Sequence, residues 1–301
     1  MTQIVGVTDE RGSHQVAFDI HGAPDGYPVF LLHGTPGSRH GPIPRSSLLY
    51  RLGVRLICYD RPGYGASTRQ EGRIVADAAE DVVAISRDLG LNEFAVVGRS
   101  GGGPHALACT SLLTGLVGKA AVLVGLAPAN APGLDWYDGM TRSNVEEYGL
   151  ADSFTDEMTA DLSARVELIR DDPEFLLKFL EPALTDPDRR IVDDHGIRRL
   201  LTRTYAEALR CGADGWIDDV LAFRRPWGFD LGKIEIPVLL WHGAEDVFSP
   251  VAHTRWLADQ IPGAHIEVQT GAAHFDAVAV LPRVLGWLNP LAVPADQGTV
   301  S

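Results

Sequence analysis

The chain has 301 residues, 45% hydrophobic and 22% charged, enough apolar material for one large or two smaller packed domains and too much for a disordered or coiled-coil chain. Its 40 acidic against 26 basic side chains leave a formal charge of −14, a surface that repels phosphate backbones and anionic headgroups and so counts against nucleic-acid and membrane-surface partners. Cys58, Cys109 and Cys211 form no CxxC pair and give no disulfide framework or thiol-ligated metal site; with no bilayer-length apolar stretch and no signal-like leader in MTQIVGVTDERGS, a cytoplasmic location is expected.

Residues 1–7 and 15–20 alternate as strands do, the first weakly. Residues 28–32 are a short apolar strand ending in His33-Gly34, and residues 54–59 another, ending at Asp60. Apolar side chains at helical spacing follow over 76–89, with Gly90 as the stop. A third apolar strand, 94–97, leads directly into Gly98-Arg99-Ser100-Gly101-Gly102-Gly103 and then into an apolar helix over 104–113. Pro104 falls in its first turn, where a missing N–H costs nothing. Residues 120–126 are a fully apolar strand. Such runs of Val, Leu and Ile suit a parallel sheet covered on both faces, and their alternation with helices predicts a βαβ architecture.

From 131 to 231 strand signals give way to helical ones, at 154–170, 172–180 and 197–209. This helical insertion carries Trp136, Tyr137, Trp216, Phe223 and Trp227, which either line a pocket or pack the insertion itself. The α/β pattern resumes with a strand at 237–241, a helix at 251–261, a strand at 265–269 and a helix at 275–288. The expected division is a core of 1–130 and 232–292, the insertion of 131–231, and a flexible tail of 293–301.

The segment Gly98-Arg99-Ser100-Gly101-Gly102 fits G-x-S-x-G, and the apolar strand before it and apolar helix after it are the setting of a nucleophile elbow. There a serine occupies a strained turn at a helix N-terminus, whose free N–H groups stabilise developing negative charge. A phosphate-binding glycine loop is the other reading, but neither G-x-G-x-x-G nor G-x-x-x-x-G-K-[ST] spacing is present.

A serine hydroxyl needs a base and an orienting acid. His274 lies just past the last predicted strand; His242, at the end of the 237–241 strand, is its rival and is read, like His105, as structural. Asp246 follows a strand, precedes a helix and gives the chain order Ser…Asp…His, with Glu245 its immediate competitor. The loop after residues 120–126 contains no acid. The oxyanion donors are expected to be the backbone N–H of Gly101 and, from the loop His33-Gly34-Thr35-Pro36-Gly37-Ser38, that of Thr35, with His33 holding the loop. Arg61 and Arg99, near strand ends, are read either as contacts to an anionic group or as side chains supporting the site through ion pairs.

HGTPGS at 33–38, DRPGYGAS at 60–67, GRSGG at 98–102, HGAEDVFSP at 242–250 and AHF at 273–275 together resemble the α/β-hydrolase superfamily over nearly the whole chain, in its cap-bearing, esterase- and epoxide-hydrolase-like branch. The resemblance implies an α/β fold with a mostly parallel eight-stranded sheet and a helical cap after the sixth strand. It also implies a triad of Ser100, Asp246 and His274, the oxyanion pair Thr35 and Gly101, and neither cofactor nor metal. Ser100 stands where dehalogenases and epoxide hydrolases of this superfamily carry Asp, which counts against both chemistries. Ala273 replaces the glycine often found before the histidine, and Gly101 replaces the Trp of proline iminopeptidases, so peptidase activity is not favoured.

The expected function is hydrolysis of a carboxylic ester or related acyl bond of a small, partly apolar molecule through an acyl-enzyme. The same triad would serve a carbon–carbon bond hydrolase, a lactonase, a thioesterase, an aminopeptidase or a cofactor-free perhydrolase, since one fold hosts many reactions. A non-catalytic ligand-binding protein on this scaffold is the reading from another class. A monomer and a homodimer are equally compatible with the sequence.

Overall fold

The apolar runs without polar alternation lie side by side at the centre of one eight-stranded sheet, whose outer strands alternate. The computed structural model describes residues 2–9 and 11–291; the tail expected at 293–301 lies outside them. The strands are β1 (Gln3–Asp9), β2 (Gly12–Gly22), β3 (Tyr27–Leu32), β4 (Val54–Tyr59), β5 (Phe94–Arg99), β6 (Val117–Leu123), β7 (Val238–Gly243) and β8 (His265–Gln269), in spatial order β1-β2-β4-β3-β5-β6-β7-β8. The β1–β2 and β2–β4 pairs are antiparallel and the rest parallel.

Both faces of the central strands are buried, which explains why their sequences do not alternate. On β5, Phe94 and Val96 join the larger apolar cluster, with α2 (Ala78–Asp88) and α3 (Gly102–Leu112). Ala95 and Val97 join a second cluster on the opposite face, with Leu49 of α1 (Ser46–Arg51) and Leu281 and Leu285 of α11 (Asp276–Leu288). Six helices occupy the chain between β6 and β7: α4 (Arg142–Ser153), α5 (Thr155–Asp171), α6 (Phe175–Leu180), α7 (Asp186–Val192), α8 (His195–Ala208) and α9 (Asp214–Arg224). Their apolar sides, through Met158, Leu162, Leu201 and Phe223, extend the larger cluster. This is the helical insertion after the sixth strand, and α10 (Val251–Gln260) returns the chain to the sheet layer.

One strand is displaced from its expected position. The apolar run at 120–126 predicts the strand there, yet β6 begins at Val117 and ends at Leu123. Val117 and Lys119 pair with β5 across a register irregularity. At the other end Val124 turns to φ 49° and leaves the ladder. Val124, Leu126 and Ala127 stay buried as loop, so hydrophobicity outlasts the strand. The three cysteines are free, Cys58 and Cys109 buried and Cys211 exposed. Among the described residues no helix is long and apolar enough to cross a membrane.

Candidate active site

β5 ends at Arg99 and α3 begins at Gly102, leaving Ser100 and Gly101 to make the turn. Ser100 has φ 54°, a left-handed conformation that costs an L-residue about 1–2 kcal/mol. Two backbone bonds hold it there: the Ser100 N–H donates to the Leu123 carbonyl at 2.8 Å, and the Ser100 carbonyl accepts from the Gly103 N–H at 2.8 Å. A Cβ on Gly98 would strike the Gly102 carbonyl, and one on Gly101 would strike the Thr35 side chain. The glycines of the motif therefore answer to crowding around a sharp turn rather than to loop flexibility.

The ends of β7 and β8 bring in two further groups. His274 Nδ1 donates to Asp246 Oδ2 at 2.8 Å. The other carboxylate oxygen, Oδ1, accepts the N–H groups of Phe248 (2.8 Å) and Ser249 (2.9 Å). Burial pushes the Asp246 carboxyl up, but the charge of His274 and hydrogen bonds from His242 and His274 outweigh it and hold the group below the ordinary carboxylate range. His242 is buried, with Nε2 donating to the Ser249 carbonyl (2.6 Å) and Nδ1 against Thr254 Oγ1 (2.7 Å); it props the Asp246 loop and does not face the cavity. Glu245 points outward, its Oε1 accepting the Gly271 N–H at 3.1 Å. Ser100 and His274 line one cavity with no hydrogen bond between them, a spacing common before substrate draws such groups together.

Thr35 and Gly101 border the same cavity. The loop carrying Thr35 is fixed from behind. His33 Nδ1 donates to the Gly34 carbonyl (2.7 Å) and its Nε2 accepts the Arg61 N–H (3.2 Å), so its tautomer is set. Burial and the Arg61 charge pull its pKa well below the ordinary value and keep the ring neutral. Arg61 Nη2 donates to the Gly34 carbonyl at 3.0 Å and to Asp219 Oδ2 at 2.5 Å. Asp219, on α9, also accepts from Arg73 Nη2 (2.7 Å), the Tyr64 hydroxyl (2.9 Å) and Thr35 Oγ1 (2.5 Å). Burial opposes its ionisation, but the charges of Arg61 and Arg73 hold it well below the usual range. Of the two readings of Arg61, the ion-paired one therefore stands. His105 Nδ1 donates to the Gly101 carbonyl at 2.8 Å; burial, with Arg61 adding to it, brings its pKa down to about 3, so a neutral ring braces the turn after Ser100.

The cap side of the cavity carries Tyr148, Leu176, Phe179 and Trp216 beside the polar Asn144, Glu147 and Arg165. Of the insertion's aromatics, Trp216 lines the cavity, with Nε1 donating to Glu147 Oε1 at 3.0 Å. Trp136 packs instead, its Nε1 donating to the Ala127 carbonyl at 2.9 Å. Among the described residues no group of three or more His, Cys, Asp or Glu side chains is placed to hold a metal ion.

Two acids at this site escape sequence reasoning. Asp219 stands next to Asp218 in the otherwise apolar run Trp216-Ile217-Asp218-Asp219-Val220, and a carboxylate within such a run is the one sign that it is buried and paired. Asp188 of α7 accepts the Phe275 N–H at 2.8 Å and so ties the His274 loop to the insertion. Only a helix-start pattern, Thr185-Asp186-Pro187, marks it in the sequence.

Residues 27–277 match a family described by its alpha/beta hydrolase fold. The chain is 27% identical over 264 residues to a non-heme chloroperoxidase of Kitasatospora aureofaciens, covering 85% of this chain and 87% of the other. It is 25% identical over 250 residues to a bifunctional esterase/perhydrolase of Acinetobacter calcoaceticus, covering 82% and 84%. Among solved structures it superposes on a thermophilic esterase from Thermogutta terrifontis with a TM-score of 0.69 at 21% identity, covering 97% of this chain and 100% of the other, a likeness of fold.

Proposed function

The chain belongs to the α/β-hydrolase family, and from that premise we propose that it is a serine hydrolase that cleaves a carboxylic ester of a small, partly apolar molecule. The observation that carries the reading is the buried Asp246 carboxylate holding His274 Nδ1 at 2.8 Å beside a cavity that Ser100 enters from a strained turn. An imidazole whose Nδ1–H is held by a carboxylate presents Nε2 as the atom that takes the serine proton.

In this mechanism Ser100 Oγ attacks the ester carbonyl while His274 Nε2 takes its proton. The oxyanion is bound by the Gly101 and Thr35 N–H groups. His274 then gives the proton to the departing alkoxide, and the alcohol leaves an acyl group on Ser100. Water, losing its proton to His274, attacks that ester, and collapse returns the proton to Ser100 and releases the acid. The set of free cysteines fits a reducing compartment such as the cytoplasm.

A second reading, perhydrolysis, draws on the likeness to a chloroperoxidase and to an esterase/perhydrolase. Hydrogen peroxide replacing water at the second step would release a peracid from the same acyl-Ser100. The test is labelling by a fluorophosphonate, followed by turnover of p-nitrophenyl esters of increasing chain length beside lactones, diketones, prolyl amides and an acetate–peroxide mixture. Labelling at Ser100 with ester turnover is expected; failure to label Ser100 in folded protein overturns the reading.

A further inference from the structure

Four titratable side chains other than tyrosine line the cavity: Arg99, Glu147, Arg165 and His274. Three of them have their charge answered within the protein. Glu147 pairs with Arg165 at 3.0 Å, and His274 with Asp246 at 2.8 Å. Arg99 differs: among the described residues its guanidinium makes neither a hydrogen bond nor an ion pair. It contrasts with Arg61, the other arginine at a strand end, whose charge is taken up by Asp219.

Arg99 is half-buried, with exposed surface on the cavity wall, and the protein packed around it still desolvates the guanidinium. The position a Cβ on Gly34 would occupy lies 3.5 Å from Ser100 Cβ and 3.9 Å from Arg99 Nη2. The cation therefore stands within a small molecule's length of the serine, on the same wall. Tyr205 of α8 also lines the cavity, and its hydroxyl likewise bonds to no described residue. Burial raises the pKa of its phenol, with Arg99 opposing, so at neutral pH the hydroxyl remains a donor. A guanidinium offers five N–H donors in a planar fork suited to a carboxylate. In a cavity whose wall also carries Leu126, Leu176 and Phe248, a desolvated guanidinium is costly until a counter-charge arrives.

We propose that Arg99, with the Tyr205 hydroxyl, is a subsite for a carboxylate carried by the ester that Ser100 attacks. The substrate class is then the half-ester of a dicarboxylic acid, with the free carboxylate on the acyl part. One unanswered cation matches one negative charge, which favours a carboxylate over a dianionic phosphate. This rests on the reading of Ser100 as nucleophile and adds to it what the acyl compound must carry.

The test measures kcat/KM for monoethyl succinate, glutarate and adipate, each beside the neutral monoamide of the same length. At one length or more the carboxylate should be preferred by about tenfold or more, the scale of a charge-assisted hydrogen bond. Arg99→Gln should bring that ratio near one, Arg99→Lys should keep part of it, and Tyr205→Phe should lower it less. A unit ratio at every length in the unaltered protein overturns the proposal, as does an unchanged ratio in Arg99→Gln. If Arg99→Gln does not fold, the unaltered protein's ratio and that of Tyr205→Phe decide. Turnover of the monoamides with no preference for the carboxylates sinks the subsite alone; no turnover and no fluorophosphonate labelling of Ser100 sinks the nucleophile with it.

Discussion

Thr35 Oγ1 donates a 2.5 Å hydrogen bond to Asp219 Oδ2, joining the loop after β3 to helix α9 of the insertion. The same carboxylate neutralises Arg61 and Arg73, both almost completely buried. The position of the proposed Thr35 oxyanion donor thus depends on an acid that itself never faces the cavity.

Asp219→Ala leaves two buried guanidinium groups without their counter-ion, and we expect a loss of about 3–5 kcal/mol of stability, read from urea unfolding. The acid limb carries a second signature. Asp219 and Asp246 both have carboxyls held below the ordinary range, so each contributes stability that is complete above the unfolded value of about 4 and is lost as pH falls through the folded one. Melting temperature should already decline below about pH 6.5, where His33 and His105, kept neutral by burial, take up protons only on unfolding, and the two carboxylates should add a steeper fall below about pH 4. In Asp219→Asn the fall should be shallower, and an equally steep limb in that variant would refute the assignment.

Ser100→Ala should abolish ester turnover while the chain stays folded. Ser100→Gly should be equally inactive yet more stable than Ser100→Ala, by about 1 kcal/mol, because glycine accepts φ 54° without strain. Comparable esterase rates in Ser100→Ala and the unaltered chain would remove Ser100 from the mechanism; equal stability of the two variants would mean the turn stores no strain.

Asp246→Asn should lower kcat on the order of 10³–10⁴-fold by presenting the wrong hydrogen-bonding partner to His274. Glu245→Gln keeps an acceptor for the Gly271 N–H and should leave kcat close to that of the unaltered chain. Steady-state kinetics on one p-nitrophenyl ester separates the two acids, and a larger loss in Glu245→Gln would reverse the choice between them.

The central strands were legible because burial on both faces writes itself into largely apolar runs, as at 54–59, whose bounds β4 reproduces; the exposed edge strand β8 was legible instead from the alternation of Ile266 and Val268 with polar neighbours. The elbow was legible because crowding between Gly98 and Gly102 excludes side chains at a fixed spacing. Helices α4, α7 and α9 were not. α4 is largely polar, α7 spans Asp186–Val192 only, and α9 is buried along most of its length, so none shows one apolar stripe. The Asp219 cluster gathers Thr35, Arg61, Tyr64 and Arg73 from far along the chain, and no local pattern encodes such a meeting. For Arg99, sequence leaves both roles open because the deciding fact is which acids come near it.

Asp188 and Asp219 have a bearing on how this lineage can be altered. One anchors the backbone after His274 and the other anchors Thr35 and Arg61, yet both belong to the segment between β6 and β7. The roof and the reactive groups beneath it are thus not separable modules. Excising the insertion, or exchanging it for that of a relative to recruit a new substrate, would carry away struts of the catalytic floor. Any such graft would have to bring two carboxylates at matching positions before its new pocket could be put to use.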